Sequence, residues 1–287
     1  MFDIKGYFEA RTLAEAFECL ENNNAQIIAG GTDVLIKTRE RKNGYHGREL
    51  VSIVRIPELS GICETEEGIE IGACCSFTEI EKSSILCKHV PALSIGASMV
   101  GGPQVRNMGT LGGNIANGVP SADTAPALFC YNAIVKLSDK SGICEIPIRD
   151  FYTGPGKVKL EQGQIITSFI IKKEDYSAFQ GHYIKFSRRK AMDISTLGCA
   201  AVVRMDGDKV ADLRLAYGVA GPTPLRAVTA EGFAAGLQLN DKNLQEIGKK
   251  ALLDCKARDS WRASKAFREA LIVELAQRAV KRAVNGE

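Results

Sequence analysis

The stretch Gly101-Gly102-Pro103-Gln104-Val105-Arg106-Asn107-Met108-Gly109-Thr110-Leu111-Gly112-Gly113-Asn114 constrains this chain more than any other. Five glycines in fourteen residues, with almost no apolar periodicity, argue against a good helix or strand. Glycine loses the most backbone entropy on ordering, so such a run is tolerated where the backbone turns with positive φ or approaches a ligand closely. A second glycine turn, Ala29-Gly30-Gly31-Thr32-Asp33, lies well upstream, straight after Ile27-Ile28. It falls between a predicted strand, Gln26 to Ala29, and a predicted helix opening at Val34. Amide groups at such a junction are free to meet an anion. Two loops of this kind predict a cradle for a large, phosphate-bearing cofactor.

The rest of the chain reads as scaffold. Thr12 and Glu15 form a capping-box pattern before Leu13, Ala16, Phe17 and Leu20, which repeat at helical spacing. Strands are expected from Leu50 to Ile56, and as a hairpin from Ile62 to Glu64 and Ile69 to Ala73. Ser76 and Glu79 mark another helix start, and Pro91 to Val100 is helical. Helical character resumes from Asp123 to Tyr131. Ala133 to Ser138 and Ile143 to Ile148 alternate as strands, and Gln164 to Ile171 is a further strand. Tyr152-Thr153-Gly154-Pro155-Gly156-Lys157 lacks the spacing of a phosphate loop and reads as a turn.

The polar connector Lys172-Lys173-Glu174-Asp175 divides the chain, giving domains 1–175, with subdomains of about 1–56 and 57–175, and 176–287. In the second domain long strands flank the hairpin signal Asp206-Gly207-Asp208. Helices follow, ending in Ser264 to Val284 with one apolar face. Strands followed by helices indicate an α+β class.

Composition narrows the partners. The chain has 287 residues, is 45% hydrophobic and 25% charged, and carries a net charge of +3. Cations and anions are interspersed, which gives no nucleic-acid footprint. No stretch reaches the roughly 18 apolar residues that span a bilayer, and Met1-Phe2-Asp3-Ile4-Lys5 does not read as a signal peptide, so a cytoplasmic location is expected. Nine cysteines without a C-x-x-C are expected to be reduced. Cys63, Cys74, Cys75 and Cys87 match no usual cluster spacing and read as small buried hydrophobes. His46, His89 and His182 stand alone, and no metal site is predicted.

These motifs resemble the FAD-binding subunits of the molybdenum hydroxylases, in particular the xanthine dehydrogenase type. The resemblance rests on Ala29-Gly30-Gly31-Thr32-Asp33, and on Thr110-Leu111-Gly112-Gly113-Asn114 followed by Asp123. Arg106-Asn107, Thr153-Gly154-Pro155-Gly156-Lys157, Ala191-Met192-Asp193-Ile194-Ser195 and Ser260-Trp261-Arg262-Ala263-Ser264 also match. It covers the whole chain. It implies a vanillyl-alcohol-oxidase-type (PCMH-type) FAD-binding domain of two α+β subdomains, followed by a C-terminal domain with a three-stranded antiparallel sheet and helices. It also implies two partners, a small subunit with [2Fe–2S] clusters and a large molybdopterin subunit, with NAD as acceptor. Related enzymes acting on nicotinate, aldehydes or carbon monoxide, and a flavin-free assembly module, stand as alternatives.

The same resemblance assigns residues to FAD. Ile27, Ile28, Ala29, Gly30, Gly31, Thr32, Asp33 and Val34 come from the first loop, and Thr110, Leu111, Gly112, Gly113 and Asn114 from the second. Backbone amides of both loops are expected to hold the diphosphate and ribityl region. Asp123 either accepts hydrogen bonds from flavin-nucleotide hydroxyls or caps the helix after it. Val100 and Ile166 are expected against the flavin, although apolar residues there also suit a core. Lys185 is placed near the flavin ring, where a cation stabilises the anionic reduced form; the alternative is a solvated strand lysine. The segment 186–194 lies beside the flavin or is a basic surface turn. Trp261 is expected to pack between the last helices or at a subunit contact. No side chain is assigned as catalytic acid, base or nucleophile.

Overall fold

A computed structural model describes residues 3–286; Met1 and Phe2 of the N-terminal reading, and Glu287, lie outside the described residues. The chain opens with a parallel three-stranded sheet in which Arg48–Ser52 lies between Ile4–Glu9 and Ala25–Ile28. The edge strand Ile4–Glu9 has no signature in the sequence because no face of it is buried, leaving Tyr7 and Phe8 exposed. The helix Leu13–Leu20 packs Ala16 and Leu20 against this sheet. The Thr12 hydroxyl caps it by accepting from the Glu15 amide at 3.2 Å, while the Glu15 carboxylate accepts from the Arg11 amide at 2.7 Å.

An antiparallel five-stranded sheet follows, in the order Ile62–Glu64, Gly68–Gly72, Ile165–Lys172, Ile134–Asp139, Gly142–Pro147. Its central strand is buried on both faces apart from Lys172. Phe77–Lys82, with the full Ser76–Glu79 capping box, and Pro91–Ser98 and Ala125–Cys130 cover it. The glycine-rich stretch corrects its sequence reading: it forms two short helices, Pro103–Met108 and Leu111–Ala116. Proline at the first position of one helix and Thr110 capping Gly113 of the other start them locally. Tertiary packing supplies the rest, since a Cβ on Gly112 would lie 2.7 Å from the Ala73 Cβ and 2.8 Å from its carbonyl oxygen.

The last sheet runs Gln180–Phe186, Leu197–Asp206, Lys209–Gly218, Leu225–Arg226, so the expected three strands gain a short fourth. It forms a wall between two cores. Tyr183, Ala200, Val202 and Ala216 pack with the preceding part of the chain, whereas Cys199, Ala201, Val203 and Leu215 pack under the helices Asp241–Ala251 and Lys265–Asn285. Alternation along a strand sends successive side chains to opposite faces, so both cores take apolar residues from one strand. Two further readings are corrected here. Asp175 is no solvated linker residue, because it is buried and bonded by Arg214 at 2.8 Å and Asn132 at 2.7 Å. Trp261 does not pack between helices: it is 73% exposed, with the Arg262 and Arg188 guanidinium groups 4.1 and 5.6 Å from its ring centre.

Candidate cofactor site

The two glycine loops meet. Gly30 abuts the Met108 carbonyl, and a Cβ there would also lie 2.9 Å from the Gly109 Cα, so no larger residue allows this approach. Gly31 turns the chain with φ of +71° directly after the strand Ala25–Ile28. Between the loops opens a cavity of about 390 Å³. Ile27, Ala29, Gly30, Gly31, Thr32, Asp33 and Val34 line one side of it. Thr110, Gly112, Gly113 and Asn114 line the other, with Val100 and Ile166 also on the wall.

Four residues expected at the cofactor do not line this cavity. Ile28 and Leu111 are core residues. Asp123 lines an adjoining cavity of about 290 Å³, which shares Val100 and Asn114 with the first and is also bounded by Met192 and Ile194. Lys185 lines neither.

The loops differ in what they offer. Among the described residues, the amides of Gly30, Gly31, Thr32, Asp33 and Val34 donate to no protein acceptor. Those from Leu111 to Asn114 in the second loop are spent within the protein: Leu111 donates to the Cys75 carbonyl at 3.0 Å and Gly112 to the Ala73 carbonyl at 2.8 Å. Gly113 donates to the Thr110 hydroxyl at 3.2 Å and Asn114 to the Thr110 carbonyl at 3.0 Å. The amides from Leu111 to Asn114 are thus engaged within the protein, whereas those from Gly30 to Val34 stay open to an anion. The second contributes side chains. The Asn114 Oδ1 accepts from the Thr124 hydroxyl at 2.7 Å, which leaves its Nδ2 hydrogens without a protein acceptor among the described residues.

Asp123 and Lys185 are joined to each other. The ammonium donates to Asp123 Oδ2 at 2.8 Å and to the Met99 carbonyl at 2.9 Å, with both side chains 7% exposed. Tyr183 and Ser195 donate to Asp123 Oδ1 at 2.7 and 2.5 Å. Burial pushes the Asp123 carboxyl up, and Lys185, Ser195 and Tyr183 pull it back. The carboxylate does not cap the following helix, whose capping position is Thr124. Nor is Lys185 a solvated strand lysine; it ties the last sheet to the turn just before Val100.

Sequence reasoning missed Lys37, Tyr45 and Asn117 on the larger cavity, and the apolar lining from Ile53, Phe77, Leu160 and Ile165. Asp33 and Lys37 are an i,i+4 pair on a predicted helix, a signal that was readable. Nothing local marks Asn117. The cysteine reading is corrected in part, since Cys63 and Cys87 are exposed, Cys75 is buried and Cys74 stands on the cavity wall. Among the described residues no group of three or more His, Cys, Asp or Glu side chains is placed to hold a metal.

A dinucleotide suits these features. The cavity lies in the range of about 300–1,000 Å³ usual for small-molecule sites. One wall carries unbonded amides for a diphosphate, and the other carries an amide side chain and apolar surface for a ring. Comparison with known proteins agrees. The family model for the FAD binding domain in molybdopterin dehydrogenase matches residues 2–172, and that for the CO dehydrogenase flavoprotein C-terminal domain matches residues 182–283. The chain belongs to the FAD-binding subunits of the molybdopterin dehydrogenases.

Within this family it is 42% identical to the xanthine dehydrogenase FAD-binding subunit of Escherichia coli O157:H7, over 99% of this chain and 97% of that one. It is 30% identical to the glyceraldehyde dehydrogenase medium chain of Sulfolobus acidocaldarius, over 96% of each. Among solved structures, a chain of carbon monoxide dehydrogenase from Hydrogenophaga pseudoflava superposes with a TM-score of 0.93 at 28% identity, covering 100% of this chain and 99% of that one. The PCMH-type fold with its C-terminal antiparallel sheet is thus shared across the family. Among the described residues of this flavoprotein subunit, no helix is long and apolar enough to cross a membrane.

Proposed function

We propose that this chain is the flavin subunit of a xanthine dehydrogenase-type molybdenum hydroxylase, working in the cytoplasm with NAD as acceptor. The carrying observation is that two glycine loops far apart in sequence face one cavity, one with unbonded amides and the other packed as its opposite wall. Identity to a xanthine dehydrogenase FAD-binding subunit over nearly the whole chain supports the choice of enzyme. The chemistry a bound FAD supplies is electron transfer from the [2Fe–2S] clusters of a small partner subunit to NAD, while molybdopterin on a large partner subunit oxidises the substrate.

The chain's own residues have separate tasks. The amides of Gly30 to Val34 hold the diphosphate, and Asn114 and Thr110 orient the nucleotide beyond it. Val100 and Ile166 keep water from the ring. The Asp123–Lys185 pair fixes the turn before Val100 and with it the join between the two cavities; the smaller cavity offers room for an acceptor beside Met192 and Ile194. Domain 1–175 carries the cofactor, and domain 176–287 reaches the smaller cavity through Met192 and Ile194 and holds Asp123 through Lys185 and Ser195.

The test is to co-produce the chain with its two partner subunits and assay the assembly. A yellow protein that reduces NAD when given xanthine or hypoxanthine is the expected result. Turnover with nicotinate, an aldehyde or carbon monoxide instead would reassign the substrate, and colourless protein that never takes up FAD would overturn the reading.

A further inference from the structure

Among the described residues lining the larger cavity, Lys37 is the one cation and Asp33 the one carboxylate. The Lys37 side chain is 17% exposed, and its ammonium lies 2.5 Å from Asp33 Oδ2, 2.6 Å from Asn117 Oδ1 and 3.3 Å from the Tyr45 hydroxyl. An ammonium has three donors, and three acceptors already surround it. A phosphate contact would require it to give one up. Burial pulls this ammonium down, but Asp33 and Tyr45 outweigh burial and the net direction is up, so it stays charged.

The partners of Lys37 belong to different parts of the site. Asp33 ends the first glycine loop, beside the unbonded amides, and it is the C-terminal capping residue Asn117 that closes the helix Leu111–Ala116 built from the second loop. Tyr45 comes from the segment between the helix Val34–Arg39 and the strand Arg48–Ser52. One side chain therefore joins both walls of the cavity. The carboxylate of Asp33, whose side chain is 47% exposed, would repel the diphosphate of a dinucleotide held at the neighbouring amides unless a cation cancelled it.

We propose that Lys37 is a positioning residue for the dinucleotide: it neutralises Asp33 and ties the first glycine loop to the helix of the second. This rests on the FAD reading above. Lys37 acts through the two loops rather than by touching the cofactor, so its removal changes FAD affinity in a way that a second change at Asp33 repairs.

The experiment measures FAD binding to the full chain, stripped of cofactor, by quenching of flavin fluorescence. Lys37→Met is expected to weaken FAD binding by roughly tenfold to a hundredfold, as loss of one partner of a half-buried charge pair does. Adding Asp33→Asn to it is expected to restore most of that loss, which a merely structural defect would not allow. Asn117→Ala removes the tie without stranding a charge, and a loss of roughly threefold to tenfold is expected; it decides the matter if Lys37→Met fails to fold. Wild-type affinity in both single variants overturns the inference while leaving the FAD reading intact. Failure of Asp33→Asn to restore affinity overturns the neutralising role. A wild-type chain that binds no FAD overturns the functional reading, and this inference with it.

Discussion

The two glycine loops have similar compositions and opposite uses. In the first, glycine lets the backbone turn at φ +71° and leaves a run of amides unbonded on a cavity wall. In the second, glycine lets one segment pack against another: Gly112 lies against Ala73, and every amide from Leu111 to Asn114 is bonded within the protein. The first loop therefore leaves amides open on the cavity, and the second is the buttress that holds the opposite wall. A glycine-rich run signals close approach, but it does not say whether the approaching partner is a ligand or the protein itself.

That contrast can be broken by mutation. The largest effect is expected outside both loops, where Lys185→Met strands the buried Asp123 carboxylate. A loss of about 3–5 kcal/mol is expected, seen as a fall in melting temperature of roughly ten degrees; a shift of only a degree or two would show that this region is not held by the pair.

Gly112→Val should follow, costing about 1–3 kcal/mol by overpacking against Ala73, and lowering the melting temperature of cofactor-free protein. Gly31→Ala is expected to cost only about 1–2 kcal/mol, through its left-handed backbone, yet to weaken FAD binding more than its stability loss explains. If Gly112→Val instead leaves stability intact and abolishes FAD binding, the roles of the loops are reversed.

The smallest effect concerns thiol reactivity. Burial pushes the Cys74 thiol up to about 12 and the Cys75 thiol up to about 11. At pH 8 both are almost wholly protonated and unreactive, so iodoacetamide is expected to label the exposed Cys63, Cys87 and Cys144 first. Peptide mass spectrometry checks the order, and early labelling of Cys74 would show that the cavity wall beside the buttress is open.

The capping signals at Thr12 and Ser76, the hairpin at Asp206-Gly207-Asp208 and the apolar face of the last helix could all be read from the chain, because each depends on residues within one or two turns of one another. The edge strand Ile4–Glu9 could not, since an exposed strand has no buried face to leave a pattern. The glycine-rich stretch reads as loop because its two short helices owe their stability to packing, which local propensity does not register. Asp123 and Lys185 both stand out in the chain as cofactor candidates, and only the fold shows that they are partners of each other.

By itself the sequence determined that a glycine turn would stand between the strand ending at Ile28 and the helix opening at Val34, that the second half would be an antiparallel sheet backed by helices, and that the whole resembled a flavin subunit. Only the tertiary structure decided which amides stay unbonded, that Lys37 reaches Asn117, and that Asp123 is enclosed with Lys185, Tyr183 and Ser195. The physical reason is range. Turns, caps and amphipathic faces are set by neighbours along the chain, whereas a hydrogen bond between distant residues exists only once the cores have brought the segments together and excluded the water that would otherwise satisfy them.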